Sequence, residues 1–231
     1  MKSNILCVGI VSFMSLWVHV SAGEYPRTVR VHLGGSSSQN EFDWSDSGGS
    51  KAKVASPGSD VGLQFLHQIP SAPSLSAGVD LNYAKLSWEE NQRVFPNVLN
   101  RSRFESTTLM AVLKWSKPEG TFRPFLFGTV GVHSTSFFLE IKPEEGMVWS
   151  DTSTSEPRDI VDGRGSSLAA GFGGGVDVYL SPRIFFGVEL RATYLANANY
   201  GVTGFGESKD FTDAKGDLSF ANLLLCVGTR F

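Results

Sequence analysis

Two stretches constrain the fold more than anything else in the chain, because in each of them apolar and polar residues alternate one by one. In residues 75–83, Leu75, Ala77, Val79, Leu81 and Tyr83 are interleaved with Ser76, Gly78, Asp80 and Asn82. In residues 184–194, Ile184, Phe186, Val188, Leu190, Ala192 and Tyr194 are interleaved with Gly187, Glu189, Arg191 and Thr193. A period of two belongs to strands, and it puts an apolar face opposite a polar one. Residues 168–180 continue the theme, setting Phe172, Val176, Val178 and Leu180 against Gly173, Gly175, Asp177 and Tyr179. Ser181-Pro182-Arg183 joins this segment to the next and is short enough to force an antiparallel hairpin.

Five further segments fit a strand: residues 27–34, 60–68, 104–116, 123–137 and 217–231. In residues 123–137 both faces carry bulky apolar side chains near Pro124, so the pattern leaves the outward side open. The connections between the eight segments alternate in length. Residues 69–74, 117–122 and 181–183 are short, whereas 35–59, 88–103, 138–165 and 195–216 are long and rich in Gly, Ser, Asn and charge. A secreted sandwich has no reason to segregate its loops in this way, but a membrane barrel has tight turns at one mouth and extended loops at the other. After residue 22 no stretch is apolar for long enough to cross a bilayer as a helix. A barrel strand needs only about 9 to 11 residues, of which alternate ones meet lipid. The expected fold is therefore all-β: a closed antiparallel up-and-down transmembrane β-barrel of about eight strands, in a single domain.

The amino-terminal region predicts export. Lys2 precedes an apolar run from Ile5 to Val20, and Val20-Ser21-Ala22 has the small residues that suit signal peptidase. The run is short for a transmembrane helix, contains His19 and lacks a basic stop-transfer flank. Residues 1–22 are read as a cleaved signal peptide and residues 23–231 as the barrel domain. Cys7 lies inside the signal without the context of a lipoprotein, so Cys226 is the one cysteine left and a disulfide framework is excluded. A closed barrel pairs every backbone donor and acceptor without such help. The net charge of -3 and the lack of any Lys/Arg run give no reason to expect nucleic-acid binding.

Three stretches resemble the bacterial outer-membrane β-barrel family that includes the opacity-type, OmpA-type and OmpW-type small barrels. They are Phe122-Arg123-Pro124-Phe125-Leu126-Phe127-Gly128-Thr129-Val130-Gly131, the run from Gly171-Phe172-Gly173-Gly174-Gly175 through Leu180-Ser181-Pro182-Arg183 to Gly187-Val188-Glu189-Leu190-Arg191, and the chain's end. There Phe231 is preceded at alternate positions by Thr229, Val227, Leu225 and Leu223. The resemblance implies a place in the Gram-negative cell outer membrane, in contact with its lipid and lipopolysaccharide. It also implies that Phe231, Val227 and Leu225 form the signal read by the outer-membrane barrel assembly machinery.

Asp177, Glu189 and Arg191 fall on the polar faces of two adjacent strands, and are expected to form an ion-pair network inside a narrow, side-chain-filled lumen. The glycines of residues 171–175 are followed by alternation, not by a helix, which argues against a phosphate-binding loop; they make room for bulky lumen residues opposite or permit the bend that closure requires. His133, Ser134, Thr135, Ser136 and Glu140 lie where lipid A-modifying barrel enzymes carry their site, but alternation turns Ser134 and Ser136 away from His133. His32 and His67 stand alone, and no spacing matches a catalytic or metal site, so no cofactor is expected. The acidic stretch 138–165 reads as a solvated outer loop, with divalent cations or a recognition surface as the alternative. Phe125, Phe127, Phe185, Phe186 and Trp115 near the short turns, and Tyr83, Trp88 and Tyr194 at the other ends, suggest two interfacial girdles.

The expected function is non-enzymatic: a rigid barrel that positions surface-exposed loops in a structural or surface-interaction role, with a surface or host ligand as partner. The alternatives are an OmpW-like channel for small or hydrophobic solutes, which needs an apolar mouth and a lateral opening, and a soluble lipocalin-like barrel, which needs an apolar interior.

Overall fold

The computed structural model describes residues 26–38, 40–43, 51–54, 58–95, 98–143, 147, 158–200 and 214–231. The expected signal peptide lies outside the described residues. Among the described residues ten strands form: β1 (Arg27–Ser38), β2 (Asn40–Asp43), β3 (Lys51–Val54), β4 (Gly58–Ile69), β5 (Ala72–Phe95), β6 (Val98–Ser116), β7 (Phe122–Pro143), β8 (Arg158–Tyr179), β9 (Ile184–Tyr200) and β10 (Ala214–Arg230). Eight of them close a barrel in the order β1-β10-β9-β8-β7-β6-β5-β4, while β2 and β3 pair as a separate hairpin within the first long connection. Every neighbouring pair in the barrel is antiparallel. Closure is made by β1, which pairs with β4 on one side and β10 on the other, from Thr28 opposite Arg230 to Ser38 opposite Phe220.

Alternation decides which side chains meet which environment. Outward-facing Phe172 and Leu225 are 71% and 67% exposed, whereas Arg30, Asp60 and Asp80 on inward faces are 0% exposed. Such an inside-out distribution opposes the lipocalin alternative, since water would face a continuous apolar belt while charges sat in the core. Around Pro124 the ambiguity is resolved: Phe122, Leu126, Val130 and Val132 point out, and Phe125, Phe127, Thr129 and His133 point in.

That result corrects part of the expected girdle. Trp115, Phe186, Tyr83 and Tyr194 are exposed on the outside, but Phe125, Phe127 and Phe185 fill the lumen. Small residues on neighbouring strands leave them the space. A Cβ placed on Gly175 would press on the ring of Phe125, and one placed on Gly173 on the ring of Phe127. The glycine-rich run of β8 is thus the socket for the aromatics of β7, the first of the two roles expected of it.

Strand lengths also depart from expectation. Residues 88–103 are expected as a loop, yet β5 and β6 pair through Glu90 opposite Asn100 and on to Phe95 opposite Val98. Likewise β7 and β8 continue through Phe138 opposite Asp162 and Glu140 opposite Asp159, so three acidic residues assigned to a loop stand on strands. Beyond the hydrocarbon both faces of a strand meet water, so the ladder continues there without the apolar alternation that marks it in sequence. Glu144, Glu145, Asp151 and Glu156 of the same acidic stretch lie outside the described residues.

Candidate functional site

The inward faces of the strands assemble one continuous polar structure across the barrel. Asp177 on β8 accepts from Lys114 Nζ of β6 at 2.9 Å and pairs with Arg30 of β1 at 3.1 Å. Arg30 reaches in turn to Glu189 of β9, at 3.2 Å. Glu189 accepts from Arg191 Nε at 2.9 Å, and the same guanidinium donates to Asp80 of β5 at 2.8 Å. Gln64 of β4 closes the run by donating to Asp80 at 2.9 Å. Three cations and three carboxylates therefore alternate in sign, from Lys114 through Asp177, Arg30, Glu189 and Arg191 to Asp80. None of these six charges lacks an opposite neighbour. All six side chains are buried, and pairing of this kind is what makes buried charge tolerable.

The aromatics of β7 support the chain from one side. Lys114 Nζ sits 3.7 Å and the Arg30 guanidinium 4.6 Å from the ring centroid of Phe125, and Arg191 lies 5.2 Å from that of Phe127. The negative ring faces favour cations that water cannot reach. Strand β7, which gives no charge to the chain, is joined to it in this way.

A second polar group is built around Asp60 of β4. Its Oδ2 accepts from Ser36 Oγ at 3.3 Å, from Asn82 Nδ2 at 3.0 Å and from Asn222 Nδ2. His32 of β1 lies with Nε2 4.0 Å from Asp60 Oδ1 and 3.3 Å from Asn82 Oδ1. His32 does not stand alone, contrary to expectation: Gly62, its register partner on β4, leaves room for the imidazole. Asn222 brings in β10, so the two groups together reach all eight strands of the barrel.

Asp177, Glu189 and Arg191, the residues singled out in the sequence, are brought together as consecutive parts of the chain. Arg30 and Lys114 were missed. Arg30 could have been found by alternation, since Thr28, Arg30 and His32 interleave with Val29, Val31 and Leu33. Lys114 could not, because Met110 and Val112 precede it on the same inward face and make β6 apolar on both sides. At the end of the long connections the Phe104 and Phe220 rings lie tilted with centroids 5.6 Å apart, and Leu86 and Leu195 are buried.

His133 and Thr135 are buried on the lumen side, while Ser134 is exposed on the other face, so the hydroxyl of Ser134 and the imidazole diverge. The side chain of Glu140 lies outside the described residues. Among the described residues no three His, Cys, Asp or Glu side chains group in a way that could hold a metal ion. Leu225, Val227 and Phe231 are 67%, 49% and 57% exposed. They continue one outward face of the closing strand, and Phe231 is tied to Arg27 by two backbone hydrogen bonds of 2.8 and 2.9 Å.

No protein-family model matches the chain, and no curated protein matches it in sequence. Solved structures do resemble it. Neisserial surface protein A is 13% identical over 89% of this chain and 97% of its own, with a TM-score of 0.50. OprG of Pseudomonas aeruginosa is 13% identical over 90% and 98%, with a TM-score of 0.49. Ail, the attachment invasion locus protein of Yersinia pestis, seen in complex with the heparin analogue sucrose octasulfate, is 16% identical over 90% and 100%, with a TM-score of 0.46. At such identities the likeness concerns architecture. The chain has the fold of the small eight-stranded outer-membrane β-barrels.

Proposed function

We propose that the protein is an integral outer-membrane barrel whose work is display: a rigid wall carries the long connections to the cell surface, and the lumen is closed by its own side chains. The observation that carries this reading is the alternating ion chain. It spans the interior in the same stretch of barrel that is belted outside by Leu126, Phe172, Leu190, Leu223 and Leu225. A lumen filled by mutually neutralised charges is a scaffold, not a conduit or a reaction site. Through the belted stretch every barrel strand pairs with both of its neighbours, which argues against a lateral opening there; β8 and β9 part beyond Ala169 and Leu195.

On this reading residues 1–22 direct export and are removed. Phe231, Val227 and Leu225 present the last strand to the assembly machinery, and lipid and lipopolysaccharide surround the belt. A surface ligand would meet the long connections. The test is cell fractionation together with heat-modifiable gel migration: the protein is expected in the outer-membrane fraction, migrating faster unheated than boiled. Recovery in a soluble fraction without detergent would overturn the proposal. In planar bilayers the purified barrel is expected to give no discrete openings; regular single-channel steps would replace the closed scaffold with a conduit.

A further inference from the structure

The ion chain ends at Lys114 and Asp177, and just beyond it, at the short-turn mouth, side chains line a partly open recess of about 40 Å³. Lys114 and Asp177 form its floor, and Arg123, Arg230, Lys117 and Tyr179 stand around it. We propose that this recess is a binding site for a small tetrahedral oxyanion of the phosphate class.

Charge is the first argument. Asp177 is the one carboxylate lining the recess, and it is already shared between Lys114 and Arg30. The ion chain balances internally, so it leaves no anion for the rim. Among the described residues, no carboxylate lies within ion-pair distance of Arg123, Arg230 or Lys117. Three cations thus converge on one concavity with nothing of opposite sign to neutralise them.

Preorganisation is the second. The Arg123 guanidinium lies 3.8 Å from the ring centroid of Tyr179, and its Nε donates to the Gly120 carbonyl at 2.9 Å. Arg230 donates to Gln68 Oε1 at 3.0 Å. Tyr179 is itself braced by Phe185, with ring centroids 5.1 Å apart. Both guanidinium groups are therefore held by neutral partners, with further N–H donors left over. Fixed forks of this kind bind oxyanions well because little side-chain freedom is lost on binding. Thr28, Ser76 and Ser116 line the same recess. So many donors around one point suit four acceptor oxygens better than the two of a carboxylate.

The site is a property of the short-turn mouth; that this mouth opens to the periplasm rests on the reading above. The test is titration calorimetry of the full-length barrel in detergent micelles with inorganic phosphate, at constant ionic strength set by chloride. Saturable binding with a dissociation constant on the order of 1 mM or tighter is expected. Arg123→Gln and Arg230→Gln should each weaken it by about tenfold or more, as expected for loss of a charge-assisted contact. Arg183→Gln, on a turn outside the recess, should leave it unchanged. Heat-modifiable migration of each variant confirms that the barrel remains closed. Heat that follows ionic strength alone, or equal weakening by Arg183→Gln, overturns the site. A parallel arm measures flotation with phosphatidylglycerol vesicles: if Arg123→Gln and Arg230→Gln reduce retention there while phosphate gives no saturable heat, the groups serve lipid headgroups and the soluble-anion site is wrong. Fractionation fails separately, so loss of the location would not be mistaken for loss of the site.

Discussion

Asp80 and Asp60 face the same lumen, are equally buried at 0% exposure, and both take their hydrogen bonds on Oδ2. They are stabilised in different ways. Asp80 has a full positive charge against it, Arg191 at 2.8 Å, with Gln64 as second donor. Asp60 has three neutral donors and an imidazole at 4.0 Å. The first arrangement neutralises charge by charge, and each member depends on the next. In the second, fixed dipoles solvate one carboxylate, and no member strands an opposite charge when altered. The ion chain should therefore respond to substitution far more sharply than the Asp60 group, although the two are neighbours inside one barrel.

The largest effect is expected at Arg191, which among the described residues is the only cation that touches both Glu189 and Asp80. Arg191→Met keeps much of the side-chain volume and leaves Asp80 without a cation. Breaking a buried pair by removing one partner costs about 3 to 5 kcal/mol. Equilibrium urea unfolding in detergent micelles should show a loss in that range. A loss under about 1 kcal/mol would mean that water, not Arg191, solvates these carboxylates. Asp80→Asn comes next, at about 3 kcal/mol by the same reasoning, since it leaves the chain with one uncompensated positive charge.

These expectations also show where sequence reasoning reaches and where it stops. Glu189 and Arg191 share a face of a strand whose outer face is uniformly apolar, so their inward orientation could be read from alternation alone. Their partners could not. Arg30 comes to Glu189 only because β1 closes against β10 and lies two places from β9, a fact of cyclic order. Lys114 is masked by the inward Met110 and Val112. The Asp60 group was least legible, because Ser36, His32, Asn82 and Asn222 are ordinary polar residues on three strands until closure brings them to one carboxylate. Strand ends beyond the membrane were illegible for another reason: Glu90 and Asn100 are paired in the backbone ladder, and a ladder leaves no trace in side-chain pattern.

Within the Asp60 group the sharper response is expected from packing. A Cβ at Gly62 would press on the His32 ring and come within 2.8 Å of Asn82 Oδ1. Gly62→Ala must therefore push both side chains away from Asp60, and overpacking of this kind costs about 1 to 3 kcal/mol. Combining it with His32→Ala removes the ring that is struck. The double variant should then be more stable than the sum of the single losses predicts, by about 1 kcal/mol in a double-mutant cycle. Additive losses would show that the imidazole is not what occupies the space Gly62 leaves.

The smallest effect separates the two regions most directly. Asp60→Asn keeps the shape and an acceptor oxygen for the donors Ser36, Asn82 and Asn222 to share, and removes only the charge. None of those donors is charged, so nothing of opposite sign is left buried, and the cost of holding a carboxylate out of water disappears. The opposing terms nearly cancel, and a change within about 1 kcal/mol of zero is expected by the same unfolding measurement. Asp80→Asn should exceed it by about 2 kcal/mol, because there the substitution isolates Arg191 from one of its two carboxylates. Equal losses at the two positions would erase the distinction and would mean that His32 carries a positive charge beside Asp60, making both carboxylates members of ion pairs.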